Sequence, residues 1–270
     1  MKHDPSKKSE FKSVAVTDSD FWNKQWGNRF GRIGLQKIIH GRDHGRNGAF
    51  LRMLDTHVGL KQIRGKRIVE LGGAASRILI DLARYAEADV VAVDFSETGL
   101  DETKALFKRH RIAGETILAD MFNWELPTES FDVVCHWGLL EHFEDPFPVV
   151  DISAKLLKRG GLLVFSMPNM AARGAKLWSM TAPLNYSKHV FHSDDVLDES
   201  LSRAGFQLTR KFHFGPPLFR MAPPEENTIV SAGANLAHIA AYGIQALAPG
   251  IFVNGSSSIS SNRGFVALKI

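Results

Sequence analysis

The segment Arg67 to Ser96, RIVELGGAASRILIDLARYAEADVVAVDFS, constrains the fold more than any other stretch of the chain. Arg67 to Leu71 is short, apolar and β-branched and stops at glycines, the pattern of a buried parallel strand. The turn that follows is Gly72-Gly73-Ala74-Ala75-Ser76, after which Ile78, Leu79, Leu82 and Ala83 recur at helical spacing. A second apolar run, Val90 to Val93, ends in Asp94. The spacing predicts a strand-turn-helix-strand unit. Small residues at such a turn let the backbone approach a ligand, and an acid about 20 residues on, at the next strand end, can accept two ribose hydroxyls.

Glu70 stands two residues before Gly72. A carboxylate there repels a pyrophosphate and attracts a cation, so the expected ligand is a nucleoside that carries a positive group. The stretch resembles motif I of the class I S-adenosylmethionine-dependent methyltransferases, acid-x-Gly-x-Gly-x-Gly. Glu70 and Gly72 match, while Ala74 and Ser76 occupy the second and third glycine positions. Both are small enough to keep a cavity open where no positive φ is needed.

Two further stretches carry the same resemblance. Glu115 to Asp120 reads as a strand ending in an acid, followed by Met121 and Phe122; this looks like motif II, which implies that Asp120 accepts from the adenine amino group while Met121 packs on the ring. Glu70, Asp94 and Asp120 thus stand at three successive strand ends, and the carboxyl ends of parallel strands are where such sheets bind ligands. Phe131 to His136 reads as the next strand, and its exit, Trp137 to Pro146, is similar to the LEH…DP signature of small-molecule methyltransferases through Leu140, Glu141, His142, Asp145 and Pro146. Methylases of exocyclic base amines carry Asn/Asp-Pro-Pro-aromatic here, so nucleic acid is not the expected partner.

The implied fold is α/β: a single doubly wound, mostly parallel seven-stranded sheet with an antiparallel last strand. Strands at Leu162 to Ser166, Gln207 to Phe214 and Gly264 to Ile270 complete it, and Lys158-Arg159-Gly160-Gly161 reads as a basic helix end closed by glycine. Residues 1–18 are expected to be a disordered tail, 19–60 a helical lid segment, and 61–270 the main domain, with a cap at 171–190 and an insertion at 215–263. Phe21, Trp22, Gln25 and Trp26 could share one helix face, packed on the core or closing the ligand mouth. The insertion carries a helix of about Thr228 to Ala248 with Leu236, Ile239, Ala240, Gly243 and Leu247 on one side, suited to the domain surface, a second copy in a homodimer, a substrate channel or a membrane surface.

Composition removes some classes of function. At 270 residues, 44% hydrophobic and 23% charged, the chain can bury a sizeable core, and a net charge of +4 without basic clustering shows no nucleic-acid footprint. Its one cysteine, Cys135, lies in an apolar run, so no disulfide forms within the chain; with no apolar leader in the N-terminal tail, a cytoplasmic setting is expected. Ile229 to Val253 is interrupted by Asn235, His238, Gln245 and Pro249, and no transmembrane segment is expected. In HGRDHGRNG, His40 and His44 flank Asp43, but Gly41, Gly45 and Gly48 argue against the helix that would bring them onto one metal.

The resemblance implies S-adenosyl-L-methionine as cofactor, held by Glu70, Gly72, Gly73, Ala74, Asp94, Phe95, Asp120, Met121 and Trp137, and a small-molecule methyl acceptor. A sulfonium makes the methyl carbon electrophilic by itself, so no metal is expected; the protein has to align acceptor, methyl and sulfur and exclude water. An oxygen or nitrogen acceptor loses a proton, which His142 is placed to take, with Glu141 and Asp145 near enough to raise its basicity or fix its tautomer; His189 and His192, in the cap, come second. Two other readings stand beside this one. A nicotinamide-dependent oxidoreductase would use Gly72 and Asp94 but not Glu70, and a non-catalytic methyltransferase-like binding protein would account for Ala74 and Ser76.

Overall fold

The structure, a computed structural model, describes residues 15–18, 20–24, 48–125, 127–217 and 229–270. His40, Asp43, His44, Gln25 and Trp26 lie outside the described residues.

Helix α1 (Ala49–His57) leads into β1 (Arg67–Leu71), α2 (Ile78–Tyr85), β2 (Asp89–Asp94), α3 (Glu97–His110), β3 (Glu115–Leu118) and β4 (Phe131–Trp137). The chain continues through α4 (Phe147–Leu156), β5 (Leu157–Pro168), α5 (Arg173–Thr181), α6 (Pro183–Tyr186), α7 (Asp194–Arg203), β6 (Phe206–Phe214), α8 (Ile229–Leu247) and β7 (Asn262–Lys269). The seven strands form one sheet in the order β3-β2-β1-β4-β5-β7-β6. β1 to β5 pair in parallel, and β7 inserts antiparallel between β5 and β6. The order reverses between β1 and β4, so a crevice opens at the carboxyl ends of those strands, where ligands bind in sheets of this kind.

Strand alternation builds two cores. In β1 and β2, Ile68, Val90 and Ala92 pack beneath α1, α2 and α3 against Leu54, Leu79 and Leu100, whereas Val69, Leu71, Val91 and Val93 join Val149, Val150 and Leu197 of α4 and α7. Both faces are covered, which is why these strands read as nearly continuous apolar runs.

Several boundaries differ from the sequence reading. Lys158-Arg159-Gly160-Gly161 is not a helix end: β5 already begins at Leu157, which pairs with Phe131, and the register shifts before Val133 meets Leu162. Gly160 takes a positive φ of 76° in that irregularity, so the glycine signal marks a bulged strand. The region 171–190 contains two helices, with Trp178 buried between Ala175 and Tyr186. β3 ends at Leu118, two residues before Asp120. On α8 the expected apolar side is not covered, since Leu236 and Leu247 are exposed. No described helix is long and apolar enough to cross a membrane.

Candidate functional site

The turn after β1 is held by backbone bonds to its neighbours. Gly73 N–H donates to the Val93 carbonyl at 3.0 Å, Ala75 N–H to the Gly99 carbonyl at 3.0 Å, and the Thr103 hydroxyl to the Gly73 carbonyl at 2.9 Å. Gly72 has φ +71°, and a Cβ there would lie 3.3 Å from Leu139 Cδ1; a Cβ on Gly73 would meet Ala92 Cβ at 2.9 Å and the Glu70 carbonyl oxygen at 3.2 Å. These two glycines are required, one by conformation and the other by space. Ala74 and Ser76 need no positive φ; the left-handed residue between them is Ala75, at φ 51°.

Ser76 does what a glycine could not. Its hydroxyl donates to Glu70 Oε2 at 2.5 Å and accepts from Leu79 N–H at 3.2 Å, so one side chain ties the acid of β1 to the first turn of α2. Burial pushes the Glu70 carboxyl from 4.5 up to about 8; the Ser76 bond opposes the rise and the charge of Asp94 adds to it. A buried carboxyl of this kind is stabilised in its ionised form by an arriving cation.

Asp94 is buried at the end of β2, where its two oxygens accept from Ala74 N–H at 3.1 Å and Ser96 N–H at 2.8 Å. Burial raises its pKa to about 6 against these backbone bonds. Phe95, half-buried, follows it. Asp120 is exposed and caps its own turn, accepting from Phe122 N–H at 3.0 Å and Asn123 Nδ2 at 2.6 Å, while Met121 is buried against the α4 side of the sheet. Glu70, the glycine turn, Asp94 and Asp120 thus occupy adjacent carboxyl ends of β1, β2 and β3, as the sequence spacing predicts. Trp137 stands at the end of β4 on the same face of the sheet as Glu70, whose partner in β4 is Cys135. Strand alternation sends it with Val133 and Cys135 to the α1 face, edge-on to Phe50 at 4.8 Å, and Leu139 is the residue that approaches Gly72.

Beyond β4, Leu140 to His142 form a single 3-10 turn in which all three residues are buried. His142 Nδ1 lies 3.0 Å from the Lys188 carbonyl, to which it donates, so a backbone group and not a carboxylate fixes its tautomer. Burial, then the neighbouring His189, depresses its pKa to about 3. This corrects the expectation that Glu141 and Asp145 raise its basicity: the histidine lies in a desolvated layer, and burial decides. His189 Nδ1 donates to the Asn185 carbonyl at 2.8 Å, and its ring lies 4.9 Å from that of His142 and 4.7 Å from that of Trp178. Burial pushes the Glu141 carboxyl up to about 8. His192 is bonded to the Leu140 carbonyl at 3.1 Å and serves to hold the exit turn.

The N-terminal segment spans both halves of this site, which sequence reasoning found only in part. In the helical turn 20–24, Asn23 Oδ1 accepts from the Ser96 hydroxyl at 2.7 Å beside Asp94, Trp22 meets His142 edge-on at 5.1 Å, and Lys188 Nζ sits 3.9 Å over the Phe21 ring. Ala15 pairs with Phe143, and Val16 N–H donates to the His142 carbonyl at 2.8 Å, so the end of the stretch read as a tail lies along the exit turn. Ser96, Thr103 and Leu139 were not legible as site residues, because short polar and aliphatic side chains carry no motif of their own, and Ser76 was legible only by its place in the turn.

Comparison with known proteins agrees with this geometry. The methyltransferase domain family matches residues 43–211. A ubiquinone biosynthesis O-methyltransferase of Neisseria meningitidis is 30% identical over 119 residues, 43% of this chain and 50% of that protein. The chain spans about half the length of the curated relatives it matches first. Among solved structures, magnesium protoporphyrin IX methyltransferase of Synechocystis with bound S-adenosylhomocysteine superposes with a TM-score of 0.59 at 14% identity, over 93% of this chain and 97% of that one. The [4+2]-cyclase SpnF superposes at 0.62 and 13% identity, over 95% and 98%. At these identities the structures share the fold alone. The acids and glycines at the ends of β1 and β2, the antiparallel β7 and the matched family together lead to one conclusion: the chain belongs to the class I S-adenosylmethionine-dependent methyltransferase family.

Proposed function

We propose that this protein transfers the methyl group of S-adenosylmethionine to a heteroatom or activated carbon of a small-molecule acceptor. The observation that supports the reading best is the pair of buried acids, Glu70 and Asp94, on either side of the Gly72-Gly73 turn. A cationic nucleoside satisfies both: Asp94 takes the ribose hydroxyls, Asp120 and Met121 the adenine, and Glu70, with Gly72, Gly73 and Ala74 giving room for the backbone, faces the charged methionine end. The acceptor enters between the exit turn of β4 and the cap, beneath Trp22, where Glu141, His142 and His189 stand.

With its pKa at about 3, His142 is neutral across physiological pH and keeps its Nε2 lone pair available on the acceptor side, so it helps to position the acceptor group instead of holding a proton, while the helical turn 20–24 covers the site. Calorimetric titration with S-adenosylhomocysteine tests the reading. Binding is expected in the wild type, and Asp94→Ala should lose about 1.5 to 3 kcal/mol, the contribution of hydrogen bonds to a charged acceptor. Absence of binding at millimolar ligand would remove the proposal. Binding without turnover in an acceptor screen read by product mass would favour the non-catalytic alternative, for which the shared fold of a cyclase is a precedent.

A further inference from the structure

We propose that Glu141, His142 and His189 form a divalent-cation site of the two-histidine, one-carboxylate type, selective for a borderline ion such as Zn2+ over Mg2+. One carboxylate oxygen and one ring nitrogen from each histidine lie within 4.8 Å of one another. Tetrahedral donors at about 2.1 Å from zinc are separated by about 3.4 Å, so the three atoms have to close by roughly 1.4 Å at most to share one ion.

Three observations beyond proximity support a cation. Glu141 is 3% exposed, and its Oε2 has no hydrogen-bond partner. The cation that acts on it electrostatically, Arg263, gives its Nη groups to Asp194, the His192 carbonyl and Met167, and its buried Nε–H makes no hydrogen bond to Glu141 or to any other described group. A buried carboxyl oxygen without a donor is costly, and a metal ion satisfies it. Both histidines are also already set as ligands: each Nδ1 donates to a backbone carbonyl, that of Lys188 at 3.0 Å and that of Asn185 at 2.8 Å, which leaves the lone pair on Nε2. Metal-binding histidines have this arrangement, with a second acceptor fixing ring and tautomer. The framework is braced as well, since Val190 N–H donates to the Glu141 carbonyl at 2.7 Å and joins the cap to the exit turn between the donors. Two imidazoles and one carboxylate suit Zn2+, Co2+ or Fe2+, whereas Mg2+ prefers oxygen ligands and water.

Three protein ligands leave coordination positions open. If the acceptor is a hydroxyl compound, its oxygen takes one of them, and its proton passes to solvent as the metal lowers its pKa; the oxygen then forms a bond to the methyl carbon as the carbon–sulfur bond breaks, yielding methyl ether, neutral thioether and one released proton. This use rests on the methyl-transfer reading; ion binding does not.

The test uses the full chain, stripped with chelator, dialysed into metal-free buffer and titrated with Zn2+ by calorimetry and with Co2+ by visible absorption. One Zn2+ per chain and Co2+ ligand-field bands are expected, and Glu141→Gln, His142→Ala and His189→Ala should each weaken uptake by about 10- to 100-fold. The double variant His40→Ala, His44→Ala should bind as the wild type does. Circular dichroism and S-adenosylhomocysteine affinity establish that each variant is folded. His189 lies in the cap and is only partly buried, so its variant provides the test if the two buried positions do not tolerate change. No uptake of either ion, undiminished uptake in folded His189→Ala, or uptake lost with His40 and His44 would each overturn the proposal. Zinc uptake without S-adenosylhomocysteine binding would sink the methyl-transfer reading and keep the metal site; the reverse result would do the opposite.

Discussion

Glu70→Gln separates electrostatics from shape at the centre of the site. Glutamine keeps the volume and one carbonyl oxygen to accept from Ser76 Oγ, but it cannot ionise. In the folded protein without ligand, burial holds the Glu70 carboxyl at about 8 against 4.5 when solvated. Between those values the folded state binds more protons than the unfolded state, so this group's contribution is fully present below about pH 4.5 and is lost as pH rises to about 8. At 1.36 kcal/mol per pH unit, that span is worth at most about 5 kcal/mol, and relaxation of the buried site reduces it to about 2 to 3 kcal/mol. Glu70→Gln should therefore be more stable than the wild type at pH 8, with the two converging near pH 5. Asp94 and Glu141 titrate upward for the same reason, so a residual slope remains in the variant, and the difference between the two proteins is the diagnostic quantity. Urea denaturation at half-unit steps from pH 5 to 9 measures it, and calorimetry at pH 8 should show weaker binding of S-adenosylmethionine by the variant. Parallel stability curves for the two proteins would refute the assignment of a buried, proton-holding acid to Glu70.

Two further substitutions probe the turn. Gly73→Ala places a methyl group 2.9 Å from Ala92 Cβ and 3.1 Å from its Cα, and should destabilise the protein by about 1 to 3 kcal/mol in urea melts with cofactor affinity falling alongside; a neutral result would mean that β1 and β2 can separate without cost. Ala75→Gly relieves a left-handed alanine at φ 51° worth about 1 to 2 kcal/mol of strain while adding about 0.5 to 1 kcal/mol of chain entropy, so stability should be unchanged or rise by up to about 1 kcal/mol, and a clear loss measured by the same melts would show that the Ala75 methyl packs productively.

Much of the site could be read in the order of residues because it lies at strand ends. An apolar run that stops at Glu70-Leu71-Gly72 and another that stops at Asp94 put two acids at the same edge of any parallel sheet they form, and the helical spacing of Ile78, Leu79 and Leu82 between them requires a parallel connection. Asp120 was legible as the end of a third run, although its side chain closes its own turn and the strand stops at Leu118. For Trp137 the packing partner was not legible, because an aromatic at a strand end signals burial without saying on which face. The face follows from its register with Val133 and Cys135, which pack toward α1. Gly160 and Gly161 were read as a helix end: a glycine pair ends a helix or bulges a strand with equal ease, and pairing with β4 settled which.

The sequence by itself determined the period-two and helical patterns, the acids at strand ends and the glycines without space for a side chain, because each is a property of a few consecutive residues. Only the tertiary structure decided what those groups experience. Glu70 accepts a hydrogen bond from the hydroxyl of Ser76, Asn23 reaches across 73 positions to Ser96, and His142 loses its basicity because Trp22 from one distant segment and Lys188 and His189 from another enclose it. Desolvation is the sum of everything packed around a group, and those neighbours come from parts of the chain whose spacing along it carries no trace of the contact.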